Sequence, residues 1–305
     1  MSIRDLAMVA TAAALVTPVL SAAQSLPPTG NLEERSRQQI RVPAEAGRED
    51  ALMTGDTDIL LLRRTRLFNI HGSADVSWTS NAYLSPGARI SDGFTQVQAG
   101  AGIGTRIAER VSVFADAGVS TVRYFSETSL DYSTFTGAIG VSGTLGPAML
   151  SGLYLPAVIY TRDFGDRELT AHRFRVAGVV PFVFRGTRVD TELHVERAST
   201  QPADYSAWSA GMTLSASRML FPSAAILGYV AAGYDRRYFD DYFEAFVGTS
   251  RRDRLVSAGA GLVWRPGTWG QVRLDYGYGH SVSTSDVNGY VAHSGMLGLS
   301  ATLRF

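Results

Sequence analysis

The chain has 305 residues, with 28 Lys+Arg balanced by 28 Asp+Glu, 31 glycines and no cysteine. Charged residues make up 18%, below the roughly 25% usual for soluble globular domains. Disulfides are excluded, balanced charge gives no case for a nucleic-acid partner, and a chain this long needs no metal or disulfide staple.

The first 23 residues read as a targeting segment. Arg4 supplies a positive start, Leu6 to Leu20 is almost wholly apolar, and Ser21-Ala22-Ala23 offers small residues for cleavage after Ala23. This apolar run falls short of the ~20 residues a membrane-spanning helix needs, and no later stretch reaches that length. The mature chain is therefore expected to leave the cytoplasm. Residues 24–66 form a polar stretch containing Pro27, Pro28 and Pro43, expected to be a periplasmic extension, a plug, or a docking segment for a secretion-system partner.

From residue 67 onward the pattern changes to period two, the mark of half-buried strands. In Phe68 to Trp78, Asn69, His71, Ser73, Asp75 and Ser77 alternate with Phe68, Ile70, Ala74, Val76 and Trp78. Between Arg188 and Glu196 the even positions are all polar, while Val189, Thr191, Leu193 and Val195 form the other face. About twelve such segments are expected, near 68–79, 93–107, 110–124, 133–146, 148–161, 169–184, 187–198, 205–219, 224–238, 253–265, 270–282 and 290–305. Each is long enough for the ~9–11 residues of a tilted bilayer-spanning strand. The segments at 148–161 and 224–238 alternate poorly.

The connections alternate in length. Short ones fall at Ala108-Glu109, Gly146-Pro147, Arg185-Gly186, Leu220 to Ser223 and Pro266 to Trp269. Longer ones fall near 80–92, 125–132, 162–168, 199–204, 239–252 and 283–289, the longest at Phe239 to Arg252. Aromatic residues gather at strand ends: Trp78 and Tyr83, Tyr124 and Phe125, Phe182 and Phe184, Tyr205 and Trp208, Trp264 and Trp269. Short turns at one face, long loops at the other and aromatic girdles predict an all-β fold, a transmembrane antiparallel up-and-down β-barrel of about 12 strands. An even strand number places both termini on the short-turn, periplasmic side.

The chain ends in Leu297, Leu299, Leu303 and Phe305 on one face, with Gly298, Ser300, Thr302 and Arg304 between them. This end resembles the assembly signal of bacterial outer-membrane β-barrels, which implies recognition by the barrel-assembly machinery. The chain from 68 to 305 is similar to a β-barrel porin family of Gram-negative bacteria, through Ser77-Trp78-Thr79-Ser80-Asn81-Ala82-Tyr83 closing the first strand before a long loop. The resemblance implies outer-membrane localisation and transport, with outer-membrane lipid and lipopolysaccharide as surroundings.

The face opposite the apolar one is rich in charge: Asp75, Asp116, Arg173, Arg175, Arg188, Asp190, Glu192, Glu196, Arg273 and Asp275. Neighbouring strands are expected to bring Arg173 and Arg175 near Asp190 and Glu192. Such rows either line a channel and set its solute preference or neutralise one another inside a filled barrel. Twelve strands give a narrower lumen than the 16–18 strands of general porins. The expected function is passage of small hydrophilic solutes, or of an exported polymer such as polysaccharide. The alternative is a closed structural or secretion-partner barrel acting through its loops and residues 24–66.

Covalent chemistry has less support, and no catalytic residues, cofactor or metal are assigned. His71-Gly72-Ser73 resembles the His-x-Ser pair of outer-membrane phospholipases and lipid A deacylases, but the alternation turns it toward the lumen. The five His and absent Cys offer no ligand spacing. Arg251, Arg252 and Arg254 close the longest loop and are candidate bidentate donors to lipopolysaccharide phosphates. Gly100, Gly102, Gly104, Gly259 and Gly261 sit inside strands, where small lumen residues permit bends or the approach of internal loops.

Overall fold

A computed structural model describes residues 68–84, 86, 89–243, 250–267, 269–285 and 288–304. The expected targeting segment, the extension over 24–66 and Phe305 lie outside the described residues. The strands are β1 (Phe68–Thr79), β2 (Asp92–Ala108), β3 (Val111–Tyr124), β4 (Tyr132–Leu145), β5 (Ala148–Thr161) and β6 (Arg167–Phe184). They continue as β7 (Thr187–Gln201), β8 (Ala207–Phe221), β9 (Ile226–Phe243), β10 (Ser250–Trp264), β11 (Gly270–Ser283) and β12 (Tyr290–Arg304). Each pairs antiparallel with its sequence neighbours, and β12 returns to β1 from Ile70 opposite Leu303 to Thr79 opposite Ser294. Closure leaves no strand edge unpaired, which is what a hydrocarbon surrounding demands of a sheet.

The side-chain period sorts the two faces. In β1 the even positions Ile70, Val76 and Trp78 are exposed while Asp75, Ser77 and Thr79 are buried. In β7 the parity is opposite: Arg188, Asp190, Glu192 and Glu196 point in, and Leu193 and Val195 point out. Val97, Ile103, Ile139, Phe174, Val176, Leu214, Val230, Leu262, Leu274 and Leu299 extend the same outer belt around the wall. A continuous apolar belt of this extent would be untenable in water and is at home in a bilayer. Leu297, Leu299 and Leu303 are part of it.

Turn chemistry fixes the short connections. Arg185 and Gly186 both have positive φ, 48° and 76°, as a two-residue hairpin turn of the primed type requires. Gly146 does the same beside Pro147 at φ 60°. At the opposite end, several loops tuck inward on short 3-10 turns, among them Thr128–Leu130 and Ala203–Tyr205.

One expectation about the segments needs correction. The stretch Phe239 to Arg252 is not the longest loop, because β9 runs to Phe243 and β10 starts at Ser250. Its charge read as loop polarity, whereas strand pairing continues past the apolar belt, with Arg251 on the inner face and Asp240 and Arg252 on the exposed outer one. The poor alternation of 148–161 and 224–238 also has a cause. The inner faces of β5 and β9 are themselves apolar in part, with Leu155, Ala157 and Ile159 on one and Leu227, Tyr229 and Ala231 on the other.

Candidate functional site

All ten charged residues expected at the lumen lie on inward-facing strand positions, and most are buried. One expected cross-strand pair is present. Arg175 bonds Glu192 across β6 and β7, as the strand order predicts. Asp190 is held by Arg188 on its own strand, with Nε 2.9 and 3.0 Å from the two carboxylate oxygens. A two-residue offset puts both on one face within reach, so the pair needs no neighbouring strand. Asp116 meets His71 rather than an arginine, with Nε2 and Oδ2 2.9 Å apart. Glu196 lies directly opposite Arg175, and Arg173 is buried on the same face of β6.

The lumen charges form clusters. In the middle of the wall, His194 bridges two acids, with Nδ1 3.6 Å from Glu192 and Nε2 2.8 Å from Asp235. Nearer the short turns, Arg273 donates to Asp275 at 3.1 Å and to the Tyr229 hydroxyl at 2.9 Å, and that hydroxyl donates to Asp275. Nearer the long loops, Arg251 chelates Asp253, which also accepts from Ser283 Oγ at 2.6 Å. Together these groups make a file of paired charge along β6 to β11, from Arg188 at one end to Arg251 at the other.

Sequence reasoning missed Tyr229, Asp235, His194, Arg251 and Asp253 as members. His194 stood on the polar face of its strand, and the parity of β9 points Asp235 inward; that parity was the available signal. The reading of Arg251 as a lipopolysaccharide contact is corrected, because its side chain is buried inside with its guanidinium 4.2 Å from the Phe239 ring centre.

Glycine has a different role from the expected one. Asp75 stands directly opposite Gly298, Asp116 opposite Gly102, Asp235 opposite Gly211 and Asp275 opposite Gly261. A Cβ at any of these four glycines would overlap the facing carboxylate. The acids therefore lie flat along the wall, over the bare backbone of the next strand. Gly100 gives His71 the same clearance.

One end of the lumen is apolar. Phe94, Val122, Tyr124, Leu130, Tyr132, Ile159 and Leu169 form a buried cluster with Ala82, and Tyr83 and Tyr205 pack against it. Leu84 joins Tyr290 and Ala292 in a second cluster. The loop after β1 thus turns inward through Ala82 and Leu84, the latter at φ 49°. Asp92 holds the loop after β3 by accepting the Ser126 and Glu127 amides. Tyr124, Tyr83 and Tyr205 are consequently not girdle residues, whereas Trp78, Phe125, Phe182, Phe184, Trp208, Trp264 and Trp269 do face outward.

His71 and Ser73 point inward, as the alternation implied; His71 is engaged by Asp116 and Ser73 Oγ donates to Asp75 at 3.4 Å. Among the described residues no group of three or more His, Asp or Glu side chains is placed to hold a metal ion.

A closed antiparallel barrel with an apolar belt outside and acidic and basic side chains inside is a bacterial outer-membrane β-barrel protein. No family model matches the sequence, and no curated protein matches it. Among solved structures, an outer membrane channel from Pseudomonas putida F1 superposes with a TM-score of 0.53 at 12% identity, over 77% of this chain and 95% of that one. The translocator domain of the autotransporter NalP from Neisseria meningitidis gives 0.48 at 16% identity, over 86% and 97%. An anion-selective porin from Comamonas acidovorans gives 0.40 at 8%, over 77% and 98%. At 12% identity the likeness to the Pseudomonas putida channel concerns the fold alone.

Proposed function

We propose that the protein is a channel for small hydrophilic solutes, with selectivity set by the charged file on β6 to β11. The observation that carries this reading is the pairing of lumen carboxylates with glycine. Laying Asp75, Asp116, Asp235 and Asp275 flat on the wall, each over the bare backbone of its facing glycine, keeps their bulk out of the barrel axis. A barrel that only needed filling would gain more from larger residues at Gly102, Gly211, Gly261 and Gly298. The reading requires no covalent chemistry, cofactor or metal. It places the short turns and both termini in the periplasm.

A second reading is favoured by the apolar clusters beneath the long loops, which suit a barrel closed at that end. In it, the barrel is structural or serves a secretion partner, acting through its loops and residues 24–66.

Single-channel recording of the refolded full chain separates the two. Discrete steps are expected, and Arg175→Ala should move the reversal potential in a salt gradient toward cation preference, because a positive group leaves the file. Leu84→Ser should raise the step size by loosening the inward loop. Silence in the wild type and in Leu84→Ser would overturn the channel and leave the closed barrel.

A further inference from the structure

The outer wall carries an arginine group whose position the apolar belt does not explain. Read across the strands by register, the row nearest the long loops runs Arg197, Trp208, Tyr238, Arg252 on β7 to β10. The next row runs Val195, Ala210, Arg236, Arg254, Val282. Below it come Leu193, Met212, Tyr234, Val256 and then Thr191, Leu214, Ala232, Ala258, the start of the hydrocarbon-facing surface. The arginines therefore sit at the boundary where the apolar belt gives way to the loops, the level of lipid headgroups.

Arg236 and Arg254 are direct cross-strand partners on the same face, and Arg252 is exposed one row above. Like charges in directly opposed positions repel, so this arrangement costs stability unless an anion lies between them. The one described carboxylate nearby, Asp240, is taken by Arg197 at 2.5 Å. Among the described residues no carboxylate pairs with Arg236, Arg252 or Arg254. Aromatic rings hold the guanidinium groups in place: Arg236 lies 5.4 Å from the Tyr238 ring centre and Arg197 5.5 Å from that of Trp208. Arg236 is thereby drawn toward Tyr238, which lies opposite Arg252 in the row nearer the long loops.

We propose that this wall is a binding site for a lipid whose headgroup carries a phosphate monoester, gripped by Arg236, Arg252 and Arg254 with its acyl chains on Leu193, Met212, Val256 and Leu214. Two adjacent guanidinium groups match the double charge of a phosphate monoester and present paired N–H donors to its oxygens. A phosphodiester offers only one charge and neutralises half of the opposed pair. The site is independent of whether the lumen conducts.

The test is native mass spectrometry of the full chain refolded in detergent. The probes are a glucosamine-disaccharide lipid bearing two phosphate monoesters, its dephosphorylated form, and inorganic phosphate. The phosphorylated lipid should remain bound and the dephosphorylated form should not. Excess inorganic phosphate should fail to displace it, because the acyl chains share the grip. Arg236→Ala and Arg254→Ala should each weaken retention roughly tenfold, as loss of a charge-assisted hydrogen bond implies. Arg218→Ala, on the exposed face of β8 near the short turns, should leave it unchanged. Heat-modifiable gel mobility confirms that each variant is folded, with Arg236→Gln and Arg254→Gln as replacements where Ala prevents refolding. Retention that survives loss of both arginines, ignores dephosphorylation, yields to inorganic phosphate, or falls equally in Arg218→Ala would overturn the site.

Discussion

Asp275→Ala is expected to destabilise the barrel by about 3–5 kcal/mol, read from urea titration of the refolded protein in lipid vesicles. The side chains of Arg273 and Asp275 are each only 1% exposed, so their mutual neutralisation happens away from bulk water. Asp275 accepts from Arg273 Nε and from the Tyr229 hydroxyl, while Arg273 also donates to that hydroxyl. Removing the carboxylate takes away the negative charge at the centre of this triad and leaves its donors facing each other. A buried charge that loses its counter-charge costs far more than an exposed pair, for which the loss is about 0–1 kcal/mol. The double variant Arg273→Met with Asp275→Ala should recover most of the loss, because no uncompensated charge is then buried. An Asp275→Ala effect below about 1 kcal/mol would mean that water reaches the triad and screens it. The two outcomes therefore also report how wet this part of the lumen is.

The distribution of what was legible in the sequence follows from which facts depend on one strand and which on two. Strand positions were readable because alternation and turn residues are local. Arg185-Gly186 marks a hairpin whatever lies around it, and the twelve expected segments correspond to the twelve strands. Inward direction was readable for the same reason, so Arg188, Glu192 and Asp275 fall on the face assigned to them. Pairing was not. That His71 reaches Asp116, and that His194 reaches Asp235, depends on register and rotamer between strands distant in sequence. The apolar mouth was illegible because Tyr124 and Phe125 are adjacent aromatics at one strand end. Both suit a girdle by composition, yet parity sends Tyr124 inward and Phe125 outward. The glycines were visible as small lumen residues, but their purpose appears only when each is seen opposite a carboxylate.

Gly211→Ala tests that purpose with the largest expected effect on conduction. Gly211 lies directly opposite Asp235, and a Cβ there would overlap the Asp235 carboxylate and stand 2.8 Å from His194 Cε1. Neither contact is tolerable, and overfilling a packed site costs about 1–3 kcal/mol when nothing yields. What can yield is the end of the Asp235 side chain, which must leave His194 Nε2, now 2.8 Å away, and swing off the wall. The folded variant should therefore show smaller conductance steps, with an acidic group displaced into the path. Moving the acid to the other strand, Gly211→Asp with Asp235→Gly, restores a carboxylate lying over a bare backbone and should restore the step size. Unchanged steps in Gly211→Ala, in a barrel of unchanged stability, would mean that Asp235 does not border a conducting path. A reduced step that the exchanged pair fails to recover would assign the effect to general distortion of β8 rather than to the carboxylate. Recovery would tie the width of the channel to one cross-strand pairing of acid and glycine, repeated at Gly102, Gly261 and Gly298 around the barrel.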